Sequence, residues 1–480
     1  MTTGSTTALR ERFTDRGSSG PALLFPILAF AGVFQAVLQT VMVPLLPSMP
    51  AFTGASPTSV SWLITTTLLV GAVVTPIFGR LADMFGKKRM LLVALVIMTL
   101  GAVICASTSN IALLIFARGL QGAGAAVIPV GISILRDELP PEKINRAIAM
   151  MSSTLGIGTA LGIPVAAAIA RYSNWHVLFW IIAAIGLAVT TAAALFIRES
   201  ELRSGGRFDG VGAVGLTAAL VCLLVPITQG SSWGWGSPAV LGMFASSVFL
   251  FVLWGFQQMQ NRNPLVDLRV SARRSVLLPN VTALLVGFAF YGNALITTQL
   301  LQAPPGEAGY GLTILEAALA QLPTSLAMIV FAQVGARMSE RYGPKVTVLA
   351  GAVFLLVGYA LHAVPNKPLW TVIAALAIAA VGTAFVYSTL PMLIIRAVPL
   401  TQMAAANGVN VLLRTVGTTM CSAVVATVLA ASMVGVVVSP VGFSLAYGIC
   451  AVLAALVFAA ALALPGHGRA QKSPAEPVVA

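Results

Sequence analysis

Charge is what this 480-residue sequence has least of: Asp, Glu, Lys and Arg together make 9% of it, and only 14 residues are acidic. A soluble chain of this length needs far more polar side chain to cover one apolar core. With 58% hydrophobic residues and a mean hydropathy of +0.95, the chain belongs in a lipid bilayer. Cysteine is scarce as well. Cys105, Cys222, Cys421 and Cys450 stand singly in apolar runs, which argues against a disulfide framework or a metal site and leaves small apolar filler as their role. Neither a P-loop nor a catalytic triad is visible, so ATP-driven pumping and hydrolysis find no support. No enzyme activity, cofactor or metal is expected.

What the chain has in abundance is apolar runs of roughly 18 residues or more, each long enough to cross about 30 Å of hydrocarbon as a helix. Fourteen occur, near 22–46, 60–79, 90–109, 111–135, 147–170, 176–197, 209–228, 238–258, 276–302, 312–336, 346–364, 369–395, 404–430 and 440–464. The first follows Arg10, Arg12 and Arg16 and is too long for the core of a cleaved signal peptide, so it reads as a retained anchor. The net charge of +13 invites thoughts of nucleic acid, but its distribution decides otherwise. If the N-terminus is cytoplasmic and the helices alternate, then of 27 Lys and Arg only Arg171 and Lys367 fall in external loops and only Arg118 and Arg414 inside spans. That is the positive-inside bias. It predicts a multi-pass protein of the cell membrane with both termini cytoplasmic, and it needs no nucleic-acid partner.

The densest charge lies in "GRLADMFGKKR", Gly79 to Arg89, the short loop between spans two and three. A second copy, "ARMSERYGPK", lies between spans ten and eleven: Arg80 matches Arg337, Asp83 matches Glu340, Gly86 matches Gly343 and Lys88 matches Lys345. Equivalent loops in two parallel six-helix halves are a transporter design. The expected organisation is a tail over 1–20, a first half over 21–198, a linker with two extra helices over 199–275, a second half over 276–464 and a tail over 465–480. Trp233 and Trp235 sit at the outer turn of the extra hairpin as interfacial aromatics.

The loop motif resembles that of the major facilitator superfamily. "ARGLQGAGAAVIP" resembles the fourth-helix pattern of that family, "LGIGTALGIPVAA" the fifth-helix motif of its exporters, and "RFDGVGAVG", "TQGSSWGWGSP" and "NPLVDLRV" the central segment of its fourteen-span drug:proton antiporter branch. The resemblance runs from about residue 22 to 464. It implies an all-α membrane fold of two six-helix halves plus two central helices, export of drugs or metabolites, and proton coupling. The chain departs from the branch in two places. Leu38 stands where the first helix usually carries an aspartate, and Pro164 falls one position late in the fifth-helix motif, with alanines replacing its closing glycines.

Candidate residues follow from position and type. Gly79, Arg80, Asp83, Gly86, Lys87 and Lys88, with Arg337, Glu340 and Gly343 in the second copy, read as a gating clasp. Asp83 near a helix end can accept from the N–H groups of a neighbouring helix N-terminus, and the glycines permit close approach. A basic loop that only fixes topology is the plainer alternative. Arg118, with Gln121 and Gly122 on its face, suits a cavity or proton path, or else a structural or snorkelling arginine. Arg414, roughly 15 Å into span thirteen, shares a stripe with Asn407 and Asn410. Gln35 with Gln39 and Gln299 with Gln302 add polar pairs, read as substrate-binding groups or as interhelical glue. Gly158, Gly162 and Pro164 suit a helix bend, though small residues also pack any membrane helices.

Proton antiport needs a carboxylate that loads and releases a proton. Only Glu307, in an external segment, and Glu316, a turn inside span ten, fall outside the cytoplasmic segments, helix ends and tails. Glu316 is either a proton carrier or a solvated rim residue. Together these residues predict a monomeric secondary transporter embedded among lipids, exporting lipophilic or amphiphilic small molecules by alternating access with protons as the counter-ion. Two other readings stay open: an exporter of one native metabolite or lipid without tight proton coupling, and a receptor or scaffold that keeps the fold without transport.

Overall fold

The computed structural model describes residues 20–464 apart from 201–202, 204, 206, 306–308, 365–366, 400–401 and 435–436. Both tails and Glu307 therefore lie outside the described residues. Fourteen described helices are long and apolar enough to cross a membrane. The first half holds spans one (Leu23–Thr40), two (Ser59–Phe85), three (Lys87–Ser107), four (Ile111–Glu138), five (Arg146–Ala166) and six (Trp175–Phe196). Spans seven (Gly210–Gly230) and eight (Pro238–Gln260) form the central hairpin. The second half holds spans nine (Arg274–Gln302), ten (Ile314–Arg341), eleven (Pro344–Ala363), twelve (Leu369–Ala397), thirteen (Met403–Ala431) and fourteen (Pro440–Leu462). The one sheet among the described residues is a two-residue ladder, Met433–Val434 on Val437–Val438, between spans thirteen and fourteen.

Side-chain caps open most of the helices that start at one end of the bundle, whereas the two copies of the loop motif at the other end use glycine. At one end Ser56, Asn110, Asn174, Ser237, Thr313 and Ser439 each accept a backbone N–H of the first turn that follows, opening spans two, four, six, eight, ten and fourteen. These are the residue types that best satisfy orphan N–H groups. At the charged end, spans three and eleven instead follow Gly86 at φ 118° and Gly343 at φ 93°. Side chains other than glycine adopt such backbone only at a cost, so both copies of the loop motif keep glycine for one geometric reason.

One apolar cluster centres on Leu28, Leu91, Met98 and Phe179 of the first half and runs on into Met392, Ile395 and Met403 of the second, while another, with Val286, Leu355, Tyr359 and Tyr447, lies in the second half. A third cluster places Leu216, Leu220 and Leu224 of span seven against Ala72 of span two and Leu412 and Val416 of span thirteen. The hairpin thus seats on the seam between the halves through span seven. Span eight lies outside it, with 11% of its apolar 18-residue stretch buried.

The halves touch mainly along span two with span thirteen and span five with span ten. Matching span one to nine, two to ten and so on makes these two pairs equivalent, so the seam has two-fold pseudosymmetry. Glycine allows the close approach. A Cβ on Gly79 would lie 2.5 Å from the Ala404 carbonyl oxygen, and one on Gly156 would lie 2.8 Å from the Met328 Cβ.

Candidate functional site

The clasp at the charged end joins the halves through a side chain on one side and backbone on the other. Asp83 is buried at the end of span two, where its Oδ1 accepts from the Ala404 N–H at 3.3 Å and its Oδ2 from the Ala405 N–H at 3.0 Å. These N–H groups open span thirteen, where the helix leaves donors unsatisfied and its dipole favours negative charge. Bonds of this charge-assisted kind contribute about 1.5–3 kcal/mol each.

The neighbouring charges do other work. Lys87 is buried and donates to Asp137 Oδ2 at 2.6 Å, and the Ser200 hydroxyl donates to the same oxygen at 2.5 Å. The Glu199 carboxylate accepts from the Lys88 and Arg89 N–H groups, and the Lys88 ammonium donates to the Ala194 carbonyl. A Cβ on Gly86 would lie 2.6 Å from that Glu199 carboxyl carbon. These contacts bind spans three, four and six within the first half, whereas the Asp83 carboxylate reaches from the loop motif across the seam. Arg80 is buried beside a cavity of about 310 Å³ bounded by the segment after span eight and the start of span thirteen. In the second copy, Arg337 and Glu340 are exposed, and neither makes a hydrogen bond or ion pair among the described residues.

The second region is a cavity of about 130 Å³ between the halves. Gln35, Gln39 and Thr40 of span one face Tyr291 of span nine, Tyr387 of span twelve, and Arg414 and Thr418 of span thirteen across it. Arg414 is half-buried, with its guanidinium carbon 5.1 Å from the Tyr387 ring centroid, and it makes no hydrogen bond or ion pair among the described residues. The Tyr387 hydroxyl and the Gln35 side-chain oxygen are buried and likewise unpaired. No carboxylate is among the described residues of the lining. Asn407 and Asn410 border a smaller adjoining space with Arg414, where Asn410 also donates to Asn280 Oδ1 at 3.0 Å and so ties span thirteen to span nine.

Other expected residues fall elsewhere. Arg118 is wholly buried and donates to the carbonyls of Leu38 at 3.0 Å and Leu63 at 3.1 Å and to Gln121 Oε1. It bolts spans one, two and four together through backbone dipoles, and neither it nor Gln121 lines the central cavity. Gly122 packs on the Thr67 carbonyl of span two. Gly158 and Gly162 abut Ala36 and Thr40, bringing span five against span one, while Pro164 borders a small space facing Phe290 and Asn293. Gln299 is exposed and Gln302 half-buried, both away from Arg414's cavity. Glu316 is exposed and closes a capping box with Thr313, accepting from its N–H and hydroxyl at 2.8 Å. Sequence reasoning missed Tyr387, Tyr291 and Thr418. Extending the stripe Asn407, Asn410, Arg414 by one more turn would have reached Thr418, but a lone tyrosine in an apolar span carries no periodic signal.

The hairpin has its own polar anchor. Asp209, just ahead of span seven, accepts from the Gly212 N–H at 2.8 Å and from Gln257 and Gln258 of span eight at 3.1 and 2.6 Å. Burial works to raise its carboxyl, but these bonds prevail and hold it below its usual range.

This chain is similar to several known proteins. It is 27% identical over 413 residues to the multidrug resistance protein Stp of Mycobacterium tuberculosis, covering 85% of this chain and 76% of Stp. It is 28% identical over 415 residues to the probable actinorhodin transporter of Streptomyces coelicolor, covering 84% and 71%. With the tetracenomycin C resistance and export protein of Streptomyces glaucescens it shares 28% over 339 residues, covering 70% and 62%. The crystal structure of the human organic anion transporter MFSD10 superposes with a TM-score of 0.68 at 14% identity, covering 92% of this chain and all of that one, which speaks for the fold alone. The family model described as Major Facilitator Superfamily matches residues 28–420 and again 280–479. A match over most of the chain, on two six-helix halves that meet along equivalent helix pairs, makes this chain a transporter of the Major Facilitator Superfamily.

Proposed function

We propose that this chain exports lipophilic or amphiphilic small molecules, drugs or secondary metabolites, across the cell membrane by alternating access, with its charged end and both termini cytoplasmic and with a monomer as the working unit. The observation that carries this reading is the cavity on the seam, lined by polar side chains from both halves. Its roughly 130 Å³ is below the about 300–1,000 Å³ of ligand clefts, so a drug-sized molecule fits only once the halves part. The relatives' names, multidrug resistance for one and antibiotic export or transport for two, support the substrate class. Proton antiport is the coupling that the resemblance to the drug:proton branch implies.

The test is transport by the purified chain in liposomes, using cationic, neutral and anionic amphiphiles with and without an imposed pH gradient. Movement of any of them above protein-free vesicles supports export. Absence of movement across the whole panel overturns it and favours a receptor or scaffold. A second reading, export without tight proton coupling, is favoured by a lining whose described residues include no carboxylate; it predicts transport that a pH gradient does not accelerate.

A further inference from the structure

Among the described residues that line it, the central cavity holds one fixed positive charge, Arg414, and no carboxylate. Arg414 lies midway along span thirteen, where an ionised side chain is costly unless it meets water, a partner or a ligand. The protein offers it none of its own kind of partner: the guanidinium rests over the Tyr387 ring and makes no hydrogen bond or ion pair among the described residues. The unpaired, buried Tyr387 hydroxyl adds a second donor at the same spot. The aromatic face beside the cation suits a flat, apolar body carrying an acidic group, since Arg pairs with oxyanions through a planar fork and stacks on rings.

Resting on the export reading above, we propose that the cavity takes amphiphilic organic monoanions, bound by Arg414 and Tyr387, and that the membrane potential drives their export. The charge balance follows from alternating access. With the monoanion bound, Arg414 and its ligand sum to zero, so the loaded cavity reorients without moving net charge. After release outside, the empty cavity carries the single charge of Arg414 back inward, the direction that an inside-negative potential favours. Each cycle moves one negative charge out. No proton-carrying group is required, and the titratable groups that face Arg414 in the cavity are Tyr291 of span nine and Tyr387 of span twelve. Arg118, buried within span four, is bonded to carbonyls elsewhere.

The experiment uses the full chain in liposomes with 8-anilinonaphthalene-1-sulfonate, a permanent monoanion, as probe. A tenfold inward K⁺ gradient with valinomycin makes the lumen positive, and the probe is expected to accumulate about tenfold inside at steady state, as it must for one charge per cycle. A pH gradient at zero potential is expected to leave its rate unchanged. Arg414→Gln, checked for insertion by size-exclusion chromatography, is expected to lower probe uptake at least tenfold, whereas Arg414→Lys keeps the response to potential. Should the glutamine variant fail to insert, the wild-type response and its retention in Arg414→Lys decide. Accumulation that follows the pH gradient and ignores the potential overturns the proposal, as does full voltage-driven uptake by inserted Arg414→Gln. Transport of neutral N-phenyl-1-naphthylamine or of ethidium without the sulfonate overturns it while leaving export standing. No transport of any probe overturns both.

Discussion

Among single residues, Asp83 and Glu340 form the sharpest contrast. They match in the repeat, yet Asp83 is buried across the seam on two N–H groups while Glu340 is exposed and unbonded among the described residues. Asp83→Asn keeps the size but removes the charge that makes those bonds strong. It is expected to lower transport at least tenfold in a normally inserted protein, while Glu340→Gln stays within about twofold, because exposed charge of this kind contributes little. Initial rates at matched protein amounts in liposomes check both; equal effects would mean that the clasp reading is mistaken. Residue type and position made Asp83 a plausible helix-terminus acceptor in the sequence alone. Which helix would supply the N–H groups was not legible, because Ala404 and Ala405 have side chains that announce nothing. Arg118 shows the opposite gap: an intramembrane arginine is conspicuous in sequence, but whether carbonyls or a cavity receive it depends on three helices at once.

At the level of whole elements, the fourteen spans were legible because long uncharged runs have few soluble alternatives, and the hairpin because its flanking charges set it apart. Its mooring was less so. Asp209 caps span seven and holds two glutamines of span eight, a contact between elements that no local pattern displays. Because the folded-state carboxyl titrates below its usual range, it stabilises the hairpin fully above the unfolded value near about pH 4 and loses that contribution as pH falls through the lower folded value. Asp209→Asn is expected to cost about 1–3 kcal/mol, through the lost charged acceptor. Thermal unfolding in detergent should show a lower midpoint for the variant at pH 7, with the gap closing under strongly acidic conditions.

For the molecule as a whole, the arrangement to explain is two six-helix halves whose seam closes at the charged end on backbone contact. Gly79 is the seam glycine with least room, since any Cβ there would press on the Ala404 carbonyl. Gly79→Val is therefore expected to hold the charged ends apart. Spin labels at Arg89→Cys and Tyr342→Cys, exposed positions on opposite halves, should show a distance distribution displaced outward by several ångströms, and no displacement would mean that the halves close elsewhere. The two-half design was readable from the duplicated loop. The shape of the cavity was not, since it depends on which faces of spans one, nine, twelve and thirteen converge, and that is decided by packing rather than by any one helix.

The clasp has a genetic consequence. Because Asp83 is met by the main chain of span thirteen, no codon there specifies the other half of the contact. Exchanging charges between partners, the usual way to rescue a broken ion pair, has nothing to exchange. Suppressors of an Asp83 lesion should therefore arise far from Ala404 and Ala405, in changes that rebalance the two conformations, and revertants that restore an acid at position 83 should dominate any selection for regained export.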